Sequence, residues 1–175
     1  MIDLLRSRRS IRKYQDRKIE DGQLEILREA ILRSPSSRGV NPWTFIFVDD
    51  AELLKNLSRA KEQGSAFLEN AALAIVVCGD ETKSDVWVED CAIASVVAHL
   101  TAHSLGLGSC WIQVRNRAHS KEQMAGAYIR ELLEIPANFR VEAVVAIGHP
   151  GESPPRIPKE ALDFTKIMTN RFRNR

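Results

Sequence analysis

Between Val86 and Leu105 the sequence VWVEDCAIASVVAHLTAHSL has no polar face at helical spacing, since Val88, Cys91, Ile93, Val96, Val97, Leu100 and Leu105 fall all round the cylinder. A helix of that kind lies in a core or at an interface. Gly106 and Gly108 read as its stop, glycine being the residue that follows a helix C-terminus most cheaply. No apolar run reaches the ~18 residues of a membrane span.

The neighbouring segments say what such a helix packs against. Residues 21–33, DGQLEILREAILR, put Leu24, Leu27, Ala30 and Ile31 on one stripe, an amphipathic helix that Ser34-Pro35 ends. WTFIFV at 43–48 reads as a strand and residues 50–70 as a charged helix. ALAIVVCG at 72–79 is a continuous apolar strand, SCWIQV at 109–114 a third strand, 119–133 a helix and VEAVVAIG at 141–148 a fourth strand. The order α-β-α-β-α-β-α-β predicts a sheet wrapped by helices, with strand direction left open by the pattern. After residue 150 the chain becomes proline-punctuated and charged with no helical stripe, either loose or laid across something else.

A chain of 175 residues fits one domain with a full core. Its 25 Lys+Arg against 23 Asp+Glu leave a formal charge of +2, so no face carries the excess that a nucleic-acid coat requires. The N-terminus reads as lacking a secretory apolar stretch, and Asp3, Asp16, Glu20 and Asp21 argue against an acid-poor import sequence. Cys78, Cys91 and Cys110 are an odd number without C-x-x-C spacing, which predicts buried small hydrophobes in a reducing cytoplasm, with a reactive thiol at Cys110 as the alternative.

Most catalytic signatures are missing. His99 and His103 have the spacing at which two imidazoles share a metal, but Leu100 stands where a zincin glutamate would be, so no metal is expected. There is no G-x-S-x-G. In GLGSCW the third fingerprint glycine is replaced by Trp111, and the stretch follows a helix rather than a strand, so no dedicated dinucleotide cradle is encoded.

Two polar stretches remain. RSRRSIRKY at 6–14 alternates guanidinium forks with hydroxyls, the donor set that saturates a phosphate monoester. SPSSRGVNPWTF places hydroxyls, a guanidinium and an amide in a short loop ahead of a strand, where they could bond the edge of a flat heterocycle.

RRSIRKY, then SPSSRGVNPWTFIFV, then SLGLGSCWI, then GHP…PPRIPKEAL occur in the order and register of the nitroreductase superfamily of FMN-dependent flavoproteins, and the chain resembles its short form from about residue 5 to residue 170. The resemblance implies an α+β fold, an α-β-α sandwich with a central mainly antiparallel sheet flanked by helices, in an intertwined homodimer. Residues 1–175 would form one FMN-binding domain, with 150–175 as a tail crossing to the partner subunit. It further implies that Arg8 and Ser10 face the FMN phosphate, with Arg9 beside them, and that Arg12 reaches the ribityl chain and the N1/O2 side of the flavin. Arg156 or Lys159 in the tail would complete the phosphate site. Pro35, Ser36, Ser37 and Arg38 would contact the ring from the neighbouring subunit, with Asn41 where glutamine is commoner. A main-chain N–H at Gln113 or Val114 would approach flavin N5. No match is found for the additional flavin contact that longer members make between the second helix and second strand.

The activity implied is a ping-pong transfer of hydride from NADH or NADPH through flavin N5 to an electron-poor small molecule, a nitroaromatic or quinone, with no catalytic side chain demanded. Dehalogenation, flavin fragmentation, or FMN binding without turnover as a sensor or carrier are the alternatives. Nucleic acid and membrane are not expected partners.

Overall fold

Among residues 1–172, which the computed structural model describes, the expected strands form β1 (Trp43–Val48), β2 (Leu73–Asp80), β3 (Gly108–Gln113) and β4 (Phe139–Gly148). They make one sheet in the order β1-β2-β4-β3 with every neighbour antiparallel, which settles the direction the pattern left open. The central strands β2 and β4 lack apolar/polar alternation because both of their faces are covered. On one face Ile75, Val77 and Val145 pack with Leu27 and Ile31 of α2 (Asp21–Leu32) and with Cys91, Ala98 and Ala102 of α4 (Trp87–Ser104). On the other, Val76, Cys78 and Val144 pack with Leu54 and Leu57 of α3 (Ala51–Ser58) and Ile129 of α5 (Ala125–Leu132). The result is the expected α-β-α sandwich.

Local hydrogen bonding explains where the helices depart from their expected limits. The 50–70 helix ends at Ser58, and the chain turns through Gly64 (φ +85°) into a 3₁₀ turn at Ala66–Asn70. The 119–133 helix begins only at Ala125, because the amides of His119 and Ser120 both donate to the Gln123 carbonyl and close a turn first. A first helix, α1 (Ile2–Ser7), was not anticipated; it buries no residue and so shows no apolar stripe.

The all-apolar helix proves two-sided. Its small residues Cys91, Ala94, Ser95, Ala98 and Ala102 are buried, while Ile93 (42% exposed) and Val96 (55%) face outward, uncovered by the described residues. Gly106, at φ +76°, stops the helix as expected. Gly108 does something else: it opens β3, and a Cβ there would stand 2.8 Å from Ile11 Cγ2. Its missing side chain is what lets the N-terminal segment approach the sheet.

After β4 the chain runs beside that segment. Gln15 N–H donates to the His149 carbonyl at 2.9 Å and Gly151 N–H to the Lys13 carbonyl at 2.8 Å, with Tyr14 opposite Pro150. From Pro155 to Phe172 every residue is exposed, Ile157, Leu162, Phe164 and Ile167 included. The last residues of the 150–175 tail, 173–175, lie outside the described residues.

Candidate functional site

The basic segment is docked on the free edge of β3. Ser10 pairs with Ser109 as an isolated parallel bridge, and Ile11 N–H donates to the Ser109 carbonyl at 2.9 Å. Arg8 Nη1 lies 2.8 Å from His99 Nε2 on α4, and His99 Nδ1 lies 2.5 Å from Ser109 Oγ. One helical turn on, His103 Nε2 lies 2.7 Å from Ser7 Oγ. The two histidines whose spacing suggests a metal pair are therefore bonded to consecutive residues of the basic segment, and both are held below the ordinary imidazole range, first by burial and then by Arg8.

Arg12 is fixed by its backbone, its N–H donating to Glu152 Oε1 at 2.6 Å. Its guanidinium lies 5.9 Å from the centroid of the Phe67 ring. Arg9 reaches the tail, donating to the Pro155 carbonyl. Burial pushes the thiol of Cys110 up, while Arg12, a hydrogen bond from Ser10, and Arg8 pull the other way. Arg8, Ser10 and Arg12 thus lie around one position of β3, where the Cys110 thiol is buried and shifted upward, both of which weigh against a reactive thiol.

Arg8 also lines a cavity of about 700 Å³ between α1 and the tail, together with Arg6, Arg156 and Lys159; its remaining walls are mostly apolar and include no carboxylate. Arg6 is paired with Asp3 at 3.0 Å, but no carboxylate lies within ion-pair distance of Arg8, Arg156 or Lys159 among the described residues. Arg156 and Lys159, which the sequence left as alternatives, stand on the same wall.

The loop at 35–41 lies elsewhere in the chain. Ser37 N–H donates to Oδ1 of the buried Asp90 at 2.8 Å, in the first turn of α4. Asp90 precedes His99 by nine residues, about 13 Å of helix. Within one chain the loop and the Arg8 cluster therefore occupy separate ends of α4. Pro35 is exposed, and Arg38 (φ +55°) pairs with Asp85 at 2.7 Å. Asn41 N–H donates to Ser36 Oγ at 2.9 Å, and Ser36 Oγ donates to Asn41 Oδ1 at 2.6 Å. Asn41 also sits at φ +50°, a conformation asparagine tolerates better than glutamine. Its departure by one methylene is thus a device for closing the loop.

Alternation along β3 separates Gln113 from Val114. Val114 N–H donates to the Glu142 carbonyl at 3.1 Å, inward to β4, whereas Ser109, of the same parity as Gln113, bonds outward to Ile11. Gln113 is the one whose main-chain N–H faces the open edge. Its side chain is committed locally, donating to the Arg115 carbonyl at 3.1 Å and accepting from Arg117 at 2.8 Å.

Two residues that sequence reasoning missed come from the α3–β2 connection. Phe67 stands beside Arg12, and Lys61 lies within electrostatic reach of Arg117 and Cys110, its pKa lowered by burial and then by Arg117. One lysine and one phenylalanine in a charged stretch carry no local signal; only Gly64, whose added Cβ would stand 3.7 Å from Lys61 Nζ, marks the turn that brings them in.

A sequence profile described as Nitroreductase family matches residues 5–66 and 59–149. A protein of Archaeoglobus fulgidus whose name couples NADH dehydrogenase with NAD(P)H nitroreductase is 42% identical over 153 residues, covering 85% of this chain and 84% of that one. The FMN reductase [NAD(P)H] of Bacillus subtilis is 28% identical over 194 residues, covering 97% of this chain and 75% of its own. An FMN-dependent nitroreductase from Clostridium difficile has a solved structure that superposes with a TM-score of 0.97 at 47% identity, covering 98% of this chain and all (100%) of that one.

Proposed function

This chain belongs to the nitroreductase family, and from that premise we propose that it is an FMN-dependent NAD(P)H oxidoreductase whose acceptor is an electron-poor small molecule, a nitroaromatic or a quinone. The observation that carries the reading is the cavity in which Arg8, Arg156 and Lys159 meet without a carboxylate. Three cations around one hollow with no carboxylate in its lining make a seat for an anion, and a phosphate monoester supplies nearly two charges and strong acceptors.

The donor set fits the cofactor. Arg8, Arg156 and Lys159 would hold the phosphate, with Arg9 and Ser10 beside them. Arg12 would place positive charge against the pyrimidine edge, and the outward N–H of Gln113 would face the ring edge opposite. Bound FMN supplies the hydride chemistry between the nicotinamide donor and the acceptor. The chain's own part is to orient, to place charge and to exclude water. Both substrates would use the same open face in turn, a ping-pong order that needs no second nucleotide fold.

The separation of the 35–41 loop from the Arg8 cluster supports completion of the site by a second copy. Pro35, Ser36, Ser37 and Arg38 of one protomer would wall the site of the other, with Asn41 holding their loop closed. Ile93 and Val96 would be covered at the same contact, and the 150–175 tail would cross it, so that residues 1–175 act as one domain within a homodimer. Three free, buried cysteines agree with a cytoplasmic setting.

The test is anaerobic photometric titration of the purified protein with NADH and with NADPH, followed by turnover with a quinone and a nitroaromatic. The protein is expected to be yellow and to bleach with either donor. Arg8→Ala should weaken FMN about ten-fold or more, as loss of a charge-assisted bond does. A protein that binds no FMN, or binds it and oxidises neither donor with any acceptor, overturns the reading.

A further inference from the structure

We propose that His99 is a positioning residue for the cofactor's phosphate: its Nε2 lone pair accepts a hydrogen bond from Arg8 and so aims the rest of that guanidinium into the cavity shared with Arg156 and Lys159. The inference rests on the FMN reading of that cavity.

The hydrogen positions follow from the donors. Arginine carries no acceptor and does not give up its proton, so the ring nitrogen must accept in the 2.8 Å contact. The ring hydrogen is then on Nδ1, donated to Ser109 Oγ at 2.5 Å, and the Ser109 hydroxyl donates onward to the His99 carbonyl at 3.3 Å. Every donor in the chain is used. His103 pins the preceding residue with the opposite polarity: Ser7 Oγ donates to the Asp3 carbonyl at 2.8 Å, which leaves it to accept from His103 Nε2 at 2.7 Å.

An imidazole suits this position for a reason of charge. A carboxylate at 99 would hold Arg8 more tightly but would neutralise the cation the phosphate needs. A lysine would repel it, and an aliphatic residue would leave the half-buried guanidinium to wander. A neutral acceptor fixes the direction of the fork and leaves its charge intact. Burial, Arg8 and His103 together hold the ring down to about 4, so the acceptor survives through the neutral range.

The test compares FMN with riboflavin, which lacks the phosphate, binding to apoprotein by fluorescence titration. His99→Leu is expected to weaken FMN about ten-fold or more and to leave riboflavin unchanged. His99→Gln, whose amide oxygen can accept where Nε2 did, should return FMN to within about three-fold of wild type. Equal weakening of both ligands, no weakening of FMN, or a glutamine variant as poor as the leucine one overturns the proposal. Should His99→Leu not fold, ¹⁵N NMR of histidine-labelled wild type decides it, since a resonance for His99 with hydrogen on Nε2 contradicts the bonding. If wild type binds FMN no more tightly than riboflavin, the phosphate reading itself has failed, which is visible before any variant is made.

Discussion

Glu152 Oε1 accepts the main-chain N–H of Arg12 at 2.6 Å and that of Lys13 at 3.2 Å, so one tail carboxylate sets the backbone of the basic segment. Glu152→Ala should lower stability by about 1 kcal/mol, since water can replace the lost acceptor in part. FMN affinity should fall several-fold as Arg12 loses its anchor. Urea denaturation and flavin titration measure the two; an unchanged FMN affinity would detach Glu152 from the site.

Gly108→Ala tests the close approach of Ile11. The added Cβ would meet Ile11 at 2.8 to 3.0 Å, and one of the atoms met is the Ile11 Cβ, which no rotamer change can move. Overpacking of that kind costs about 1–3 kcal/mol. Because Ser10 and Ile11 are bonded to Ser109 beside it, the substitution should also reduce FMN occupancy of the purified protein. A variant that melts normally and remains fully yellow would show that the segment can be held another way.

Asp90→Ala removes the acceptor of the Ser37 amide. Leaving a partly buried N–H unpaired costs about 1–3 kcal/mol, concentrated in the 35–41 loop. Hydrogen exchange should show Ser37 losing protection while the β2 and β4 amides keep theirs. Uniform loss across the sheet would mean that Asp90 supports the whole of α4 instead.

Buried Glu142 and half-buried His99 give opposite pH dependences. His99 falls from an ordinary 6.5 to about 4 through burial, Arg8 and His103, so between those values the unfolded chain binds the extra proton and stability rises with pH. Glu142 rises from 4.5 to about 7 through burial, with Arg115 opposing, so between those values the folded chain holds the extra proton and stability falls with pH. From about pH 4.5 to 6.5 the two nearly cancel. Relative to wild type, His99→Gln should add a falling slope and Glu142→Gln a rising one, each approaching about 1.4 kcal/mol per pH unit. Urea midpoints across that window, compared as differences, read both; slopes of the same sign for the two variants would refute the assignment.

What the sequence made legible was whatever depends on local pattern. Trp43–Val48 is a strand at the limits its aromatic and β-branched run predicts, and α4 falls within one residue of its apolar stretch. Strand direction was hidden because helices cover both faces of β2 and β4, erasing the alternation that would have marked an antiparallel sheet. Arg8, Ser10 and Arg12 were singled out from residue type and family resemblance, but their partners were not. His99, Gly108, Lys61 and Phe67 matter through contacts across long stretches of chain, and each has an innocuous local reading: a metal-like spacing, a helix stop, members of a charged run. Asn41 is the reverse case, a visible departure from the family pattern whose reason is the loop closure with Ser36.

Arg12 waits for Glu152, 140 residues away, and Arg9 for Pro155. During synthesis the basic segment leaves the ribosome early with nothing to hold it, and at ~5–20 residues per second its anchor follows on the order of ten seconds later. The cradle that would take up a cofactor therefore cannot form on a nascent chain that stops short of the tail. A message truncated before residue 150 would yield a chain that keeps all four strands, with Arg8 still on His99 and Ile11 still on Ser109, yet leaves Arg9 and Arg12 without their partners in the tail.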